Sequence, residues 1–324
     1  MSTGLAPGLA AGTPDEGAPA LSSTRRAFRS IGKLGIACLV VIALTVLIAI
    51  LSPLLTPDNP NLGQIGEVYL PISTSHLLGT DGQGYDIFSR LMAGSRDSLL
   101  GPLAVAFMAT TIATILATLA AWWRGVVDTG ISAMTNVLFA FPGIILAILA
   151  ATVLGASLTA AVFALTIAYT PAVTRVLRSA AVTVRNQTYI SALEIQGYSS
   201  FTICIRHLIP NMSALIAAEF TLLFGFSMVD LSAISYLGLG TQPPASDWGV
   251  MVAEGQNGIL AGHPGEALAA GITIFVIVLA FTLLGERIAA LGGVDYRSTG
   301  SWLSMRSPRR RMAAIEAAAP EASA

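Results

Sequence analysis

The chain is 324 residues long, 54% hydrophobic and only 11% charged, with a formal net charge of −1. A soluble domain carries roughly 25% charged residues, so this balance excludes an ordinary soluble enzyme and indicates an integral membrane protein. The neutral total gives no sign of a nucleic-acid partner, and two cysteines, Cys38 and Cys204, are too few for a disulfide scaffold or a zinc site.

Residues 1–24 are rich in Ala, Gly, Pro, Ser and Thr and have no apolar period, so they read as disordered, within an N-terminal tail drawn as 1–30. Six apolar stretches follow, at about 34–52, 99–123, 131–154, 158–176, 213–237 and 266–290. Each is near or above the roughly 20 residues that cross a hydrocarbon core as a helix. The first is too long to be a removed signal peptide, and no small-residue cleavage site follows it. Together they define an all-α membrane domain over 31–297, followed by a tail at 298–324. Pro102, Pro142 and Pro171 lie inside predicted spans, where each removes a backbone bond and invites a kink. Bent packing is the plain expectation, and a shaped pathway the sharper one.

The basic residues set the orientation. Arg25, Arg26, Arg29 and Lys33 precede the first span, and Arg124 follows the second. Arg175, Arg178, Arg185 and Arg206 fall around the connection between the fourth and fifth, and Arg287, Arg297, Arg306 and Arg309 to Arg311 follow the sixth. With six spans these lie on one side, leaving Arg90 and Arg96 on the other. The positive-inside rule therefore predicts a multi-pass protein of the cell membrane with both termini cytoplasmic.

Between the fourth and fifth spans runs YISALEIQGYSSFTICIRHLIPN, residues 189–211. It is too polar to span a bilayer and too regular for a plain loop. Residues 187–196 favour a helix with Ile190 and Leu193 on a patchy apolar face. Gly197 can end that helix in a left-handed conformation, Ser199 or Ser200 can cap a second short helix, and Pro210 opposes continuation into the fifth span. The result is a compact cytoplasmic knob over 187–211. Ile190, Leu193 and Phe201 can pack on the bundle itself or fill a groove in a soluble partner, and the physics alone does not choose between them.

The spacing within this element resembles the cytoplasmic coupling motif in permease subunits of binding-protein-dependent ABC importers. The usual form there is Glu-Ala-Ala, three residues, Gly, and a Pro thirteen residues beyond that Gly. Gly197 and Pro210 keep the spacing, Ala192 takes the middle Ala, and Arg206 to Asn211 looks like the R-H-x-L-P-N ending of the dipeptide, oligopeptide and nickel branch. Two further stretches resemble that branch in the same order. They are HLLGTDGQGYDIFSRLMAGSRDSL at 76–99 and SYLGLGTQPPASDWGVMVAEG at 235–255. The likeness covers roughly residues 30–297. Three departures stand out: Ser191 replaces the leading Glu, Leu193 the second Ala, and Tyr85 the usual Arg.

This resemblance implies a MetI-like helical bundle whose coupling element would be carried by Tyr189, Ser191, Ala192, Leu193, Glu194, Gly197, Phe201 and Pro210. Glu194 is a candidate replacement for the missing Glu. It also implies a homologous second permease, two cytoplasmic ATPases and an extracytoplasmic solute-binding protein, with ATP–Mg held by those ATPases and no cofactor on this chain. The lack of a G-x-x-x-x-G-K-[ST] loop agrees with a subunit that carries solute without hydrolysing ATP. Peptides are the expected cargo, with nickel or another small solute as the alternative within the class. An ATP-independent secondary transporter would show inverted repeats or broken midplane helices.

The remaining candidates are tied to position. Residues 53–98 and 238–265 are expected outside, large enough to receive the binding protein, with Pro243, Pro244 and Trp248 as a stiff loop and aromatic anchor. Trp248 reads equally well as an ordinary interfacial Trp. Asp81 and Asp86, candidates for the same surface, also suit a structural ion-pair cluster with Arg96. Glu219 and Asp230 lie within the fifth span, where ionisable groups usually face the bundle interior or water. They are eleven residues apart, about three turns, so they share a helix face. Asp230 also matches an acidic position of the family branch. A cation-attracting pathway lining and hydrogen bonding between helices both fit.

Overall fold

The computed structural model describes residues 23–291 apart from 57, 58, 61, 64, 65, 243 and 244. The N-terminal tail before residue 23, the C-terminal tail, Pro243 and Pro244 lie outside the described residues. The helix α1 (Ser23–Leu55) already begins inside the stretch read as a tail, and it turns at Gly32, whose φ of 74° departs from the helix. Its span, from Gly32 onward, lies against α11 (Gly265–Leu291), where Cys38 meets Ala280 and Leu284.

Among the described residues, five helices are long and apolar enough to cross a membrane, and a bent pair taken as one span brings the number to six. The helix α2 (Ile87–Trp123) has 37 residues, about 55 Å at 1.5 Å per residue. That exceeds the ~30 Å hydrocarbon core, so only its later part corresponds to the predicted second span. Its buried seam is made of small residues: Val105, Ala106, Ala109, Ala113, Ala117 and Ala121. With lipid as apolar as leucine, helices associate in membranes by close backbone packing rather than by escape from water. The alanines let α5 (Leu158–Arg185) lie directly on α2, with Val173, Leu177 and Ala181 against them.

The three prolines behave differently. Pro102 and Pro171 stay inside continuous helices. Around Pro171 the hydroxyls of Thr166, Thr170 and Thr174 each donate to the carbonyl four residues back, which satisfies them within the bundle. Pro142 instead divides the third span into α3 (Gly125–Phe139) and α4 (Gly143–Leu154), bent by 80°.

Two short helices and a π-turn follow α5: α6 (Thr188–Ile195), α7 (Ser200–Ile203) and Cys204–Leu208. The chain then passes through α8 (Ile209–Asn211) into α9 (Ser213–Tyr236), the fifth span. Between α9 and α11 lies α10 (Trp248–Leu260), a helix within a segment expected only as an outer loop. Asp247 starts it, accepting from the Gly249 N–H at 2.7 Å. The same carboxylate accepts from Ser98 of α2 at 3.3 Å and Ser235 of α9 at 3.0 Å. One side chain thus joins three helices. Gly249 is required by closeness, since a Cβ there would sit 2.5 Å from the Ser232 carbonyl oxygen.

Candidate functional site

The two ends of the bundle differ. Both α6 and α7 follow the C-terminus of α5, near the C-terminus of α2, so they form a knob at one end. The loop 67–86 and α10 lie at the other end, beside the start of α2.

The knob is built from its backbone outward. Gln196 closes α6, Gly197 takes φ 81°, and two bonds complete the turn: Gly197 N–H to the Glu194 carbonyl at 3.0 Å and Tyr198 N–H to the Leu193 carbonyl at 3.1 Å. This is the Schellman arrangement, in which a residue with no Cβ satisfies the last carbonyls of a helix. Ser199 then caps α7, accepting from the Thr202 N–H at 3.2 Å. Pro210 has no N–H to donate to Arg206. The chain makes a π-turn ahead of it, where the Ile209 N–H bonds the Cys204 carbonyl. Asn211 closes the element: its amide donates to the His207 carbonyl at 2.6 Å and to the Tyr189 hydroxyl at 2.9 Å. The Pro210-Asn211 ending therefore clamps α6 to α8.

The knob's apolar residues divide between two faces. Ile190, Ile203 and Leu208 are fully buried, and Leu193 is half-buried. Ile195 is 87% exposed and Phe201 74% exposed, with Tyr198 and Ile205 also open to solvent. Ser191, Ala192 and Pro210 are exposed. Of the two options left open by the sequence, Ile190 takes the inward one, and Phe201 is left facing solvent. Glu194 is held within the chain. It pairs with Arg185 at 2.6 Å, and that guanidinium stacks 4.3 Å over the Trp122 ring. Glu194 ties the knob to the ends of α2 and α5. Burial pushes the Cys204 thiol up, and the nearby Arg185 only partly opposes this, so the thiol is poorly reactive. Gly197→Val, forced to a left-handed backbone that costs about 1–2 kcal/mol, is expected to loosen the knob alone. Amide hydrogen exchange should accelerate over 198–203 and remain unchanged in α2 and α5.

At the opposite end Arg90 is the hub. It is 1% exposed and reaches Asp81 at 2.9 Å, Glu254 of α10 at 2.6 Å and Glu266 of α11 at 3.0 Å. Asp81 also accepts from the Gln83 and Tyr85 N–H groups, and the Tyr85 ring lies 4.7 Å below the guanidinium. Asp86 caps α2 through the Ser89 N–H at 2.7 Å and pairs with His76 at 3.1 Å. The expected ion cluster exists, but its cation is Arg90, while Arg96 is exposed. Asp81, Asp86 and Trp248 do not present themselves to a partner. The carboxylates are buried because each is fully paired, and Trp248 is 1% exposed, its Nε1 donating to the Leu91 carbonyl at 2.9 Å. They form the scaffold beneath a surface on which Leu70, Ile72, Leu77 and Leu260 are exposed. A cavity of about 460 Å³ opens there beside the stacked rings of Tyr69 and His263, 4.5 Å apart.

Within the bundle, Asp230 accepts from the Tyr169 hydroxyl of α5 at 2.6 Å, the helix-to-helix bond that was one of the two expectations. Glu219 is half-buried on the same helix, eleven residues before Asp230, which is about 16 Å along the axis.

A bundle of this kind, with a solvent-exposed knob between its fourth and fifth spans, belongs to a known class. The family described as the binding-protein-dependent transport system inner membrane component matches residues 109–291, and the chain is a member of that family. It is a multi-pass membrane permease of MetI-like fold. Among its relatives, the dipeptide transport system permease protein DppC of Alkalihalophilus pseudofirmus is 35% identical over 284 residues, 84% of this chain and 90% of the relative. The glutathione transport system permease protein GsiD of Pectobacterium atrosepticum is 36% identical over 214 residues, 66% of this chain and 71% of that one. GsiD of Escherichia coli is 35% identical over 246 residues, 76% and 81% of the two chains.

Proposed function

We propose that this chain is one of two permease subunits of an ATP-driven importer that moves short peptides across the cytoplasmic membrane. The names of its relatives support the peptide cargo, and the knob's exposed apolar face supports the drive. Isolated exposed apolar residues are ordinary, but Ile195, Tyr198, Phe201 and Ile205 cluster on an element fixed by a glycine turn, a serine cap and the Asn211 clamp. Such a rigid, greasy protrusion is suited to a groove in a partner.

The partner is a cytoplasmic ATPase that binds ATP–Mg, one for each permease half, and this chain holds no cofactor. Both termini and the knob face the cytoplasm. When ATP binding draws the two ATPases together, the knobs move with them. The Arg185–Glu194 pair and the stack on Trp122 pass that displacement to α2 and α5. The halves rock as rigid bodies around a central route, and the direction of change follows from different partner contacts in the two states. Glu194 then serves as an internal tether rather than a replacement contact to the ATPase. An extracytoplasmic binding protein delivers solute to the face around Ile72 and Leu260, with the Arg90 cluster keeping that platform stiff.

The cargo is tested by purifying the binding protein that associates with the complex and identifying its ligand by mass spectrometry. Short peptides are expected, and a nickel chelate or a glycoside as the bound species would contradict the reading.

A further inference from the structure

The cavity of about 460 Å³ at the end opposite the knob combines apolar walls with carboxyl groups. Leu70, Ile72, Leu78 and Ile87 line it together with the ring of Tyr69, and its acidic members are Asp81 and Glu266. Both acids belong to the cluster in which Asp81, Glu254 and Glu266 share the one guanidinium of Arg90. Three carboxyl groups on one cation leave that cluster acidic. The two acids of the cavity differ in what their oxygens meet. Asp81 uses both, one on Arg90 and one on the N–H groups of Gln83 and Tyr85. Glu266 places one oxygen 3.0 Å from Arg90. Among the described residues its other oxygen accepts no hydrogen bond, although the side chain is only 6% exposed.

A carboxylate oxygen taken from water without a donor is costly. Here it borders a space large enough to admit one. Leu70 and Ile72 line that space and are also exposed at the surface. An apolar rim around a pocket with one unmet polar group is how protein interfaces seat an anchoring side chain. We propose that Glu266 receives the ammonium of a lysine on the solute-binding protein, with the lysine stem held between the apolar walls. The chemistry separates lysine from arginine. A guanidinium fork is matched by a carboxylate with two free oxygens, and Arg90 already occupies one of the two on Glu266. An ammonium is a compact charge that needs a single acceptor, and its four methylenes suit an apolar sleeve. The identity of the partner rests on the function proposed above; the fit to an alkylammonium rests on the cavity alone.

The test uses the complete transporter in nanodiscs with its binding protein. A water-soluble carbodiimide joins a carboxylate to a touching amine as an amide, itself leaving as a urea, and peptide mass spectrometry locates the bond. The expected product links Glu266 to a lysine of the binding protein. Ile72→Lys and Ile72→Glu change the exposed rim, where the fold tolerates substitution. The lysine variant brings a competing ammonium, so it should weaken docking about tenfold more than the glutamate variant does. Butylammonium, the same group on the same stem, should raise the melting temperature of the wild-type transporter but not of Glu266→Gln at equal ionic strength. A binding protein that docks without a bond to Glu266, and no more weakly on Ile72→Lys than on Ile72→Glu, overturns the assignment and leaves the importer reading standing. A bond from Glu266 to phosphatidylethanolamine in preference to the protein also overturns it, because a lipid is then the occupant. Butylammonium stabilisation lost in Glu266→Gln, in a transporter on which no binding protein docks, overturns the importer reading and the named partner and upholds the ammonium site.

Discussion

Phe201→Asp is expected to lower ATP-driven import by roughly 30-fold, since truncating an interface hot spot costs about 2 kcal/mol or more. Phe201 is the most exposed aromatic of the knob and stands on α7, whose start is fixed by the Gly197 turn and the Ser199 cap. Placing a carboxylate there removes the apolar anchor and introduces a charge that a greasy groove cannot solvate. The fold itself should tolerate the change, because surface substitutions usually shift stability by only about 0.5 kcal/mol. Thermal melting of the purified chain should therefore match the wild type, while co-purification of the ATPase and ATP-dependent uptake both decline. Ile203→Asp provides the contrast. That side chain is fully buried in the same short helix, so this variant should lose the knob's structure and the chain's melting temperature together. Wild-type uptake by Phe201→Asp would mean that the exposed face is not the contact that transmits work.

Arg90→Met is expected to destabilise the chain by about 3–5 kcal/mol, the cost of leaving a buried ionic group without its partner. The cluster sets one cation among the carboxylates of Asp81, Glu254 and Glu266. Without the guanidinium, these acidic groups lose their shared partner at a largely buried site. Loop 67–86, α10 and α11 should separate from the start of α2, seen as a lower melting temperature in detergent and faster hydrogen exchange in α10. Neutralising the remaining charges should reverse much of the loss. Arg90→Met combined with Asp81→Asn and Glu266→Gln should be more stable than Arg90→Met alone, a non-additive result expected of residues in one network. Equal stability of the single and combined variants would show that the cluster's charge balance does not hold this end together.

The parts legible in the sequence are those written in local pattern. Run lengths gave the six crossings, and the Gly197 turn and the Ser199 cap follow from residues a few positions apart. The third crossing was harder, because Pro142 is spelled like Pro102 and Pro171. Whether a proline bends or breaks a span depends on the packing around it, and only Pro142 ends with a break of 80°. The helix α10 was hidden for a related reason. Its Gly-rich sequence has weak intrinsic helix preference, and the Asp247 cap, the buried Trp248 and close packing at Gly249 hold it in place.

The ion cluster marks the outer limit of such reading. Arg90 and Glu266 stand 176 positions apart, and no periodicity relates them. The sequence points to Arg96 as the partner of Asp81, whereas the helix phase of α2 turns Arg90 inward and leaves Arg96 exposed. Trp248 was read at the surface for the same reason: its sequence neighbours suggest a loop, and only the return of the chain onto Ser98 and Leu91 buries it. At the knob, Glu194 looked free to reach outward, and Arg185, nine residues earlier, claims it.

The proposed function requires that a fixed apolar protrusion carry work from separate ATPases into the six-span bundle. Its most direct test is uptake of labelled peptide by vesicles containing the permease pair and binding protein, measured with and without the ATPases and ATP. Uptake against a gradient that appears only when both are supplied, and disappears in Phe201→Asp, is the predicted result. Accumulation at the same rate with no ATPase and no nucleotide would contradict it.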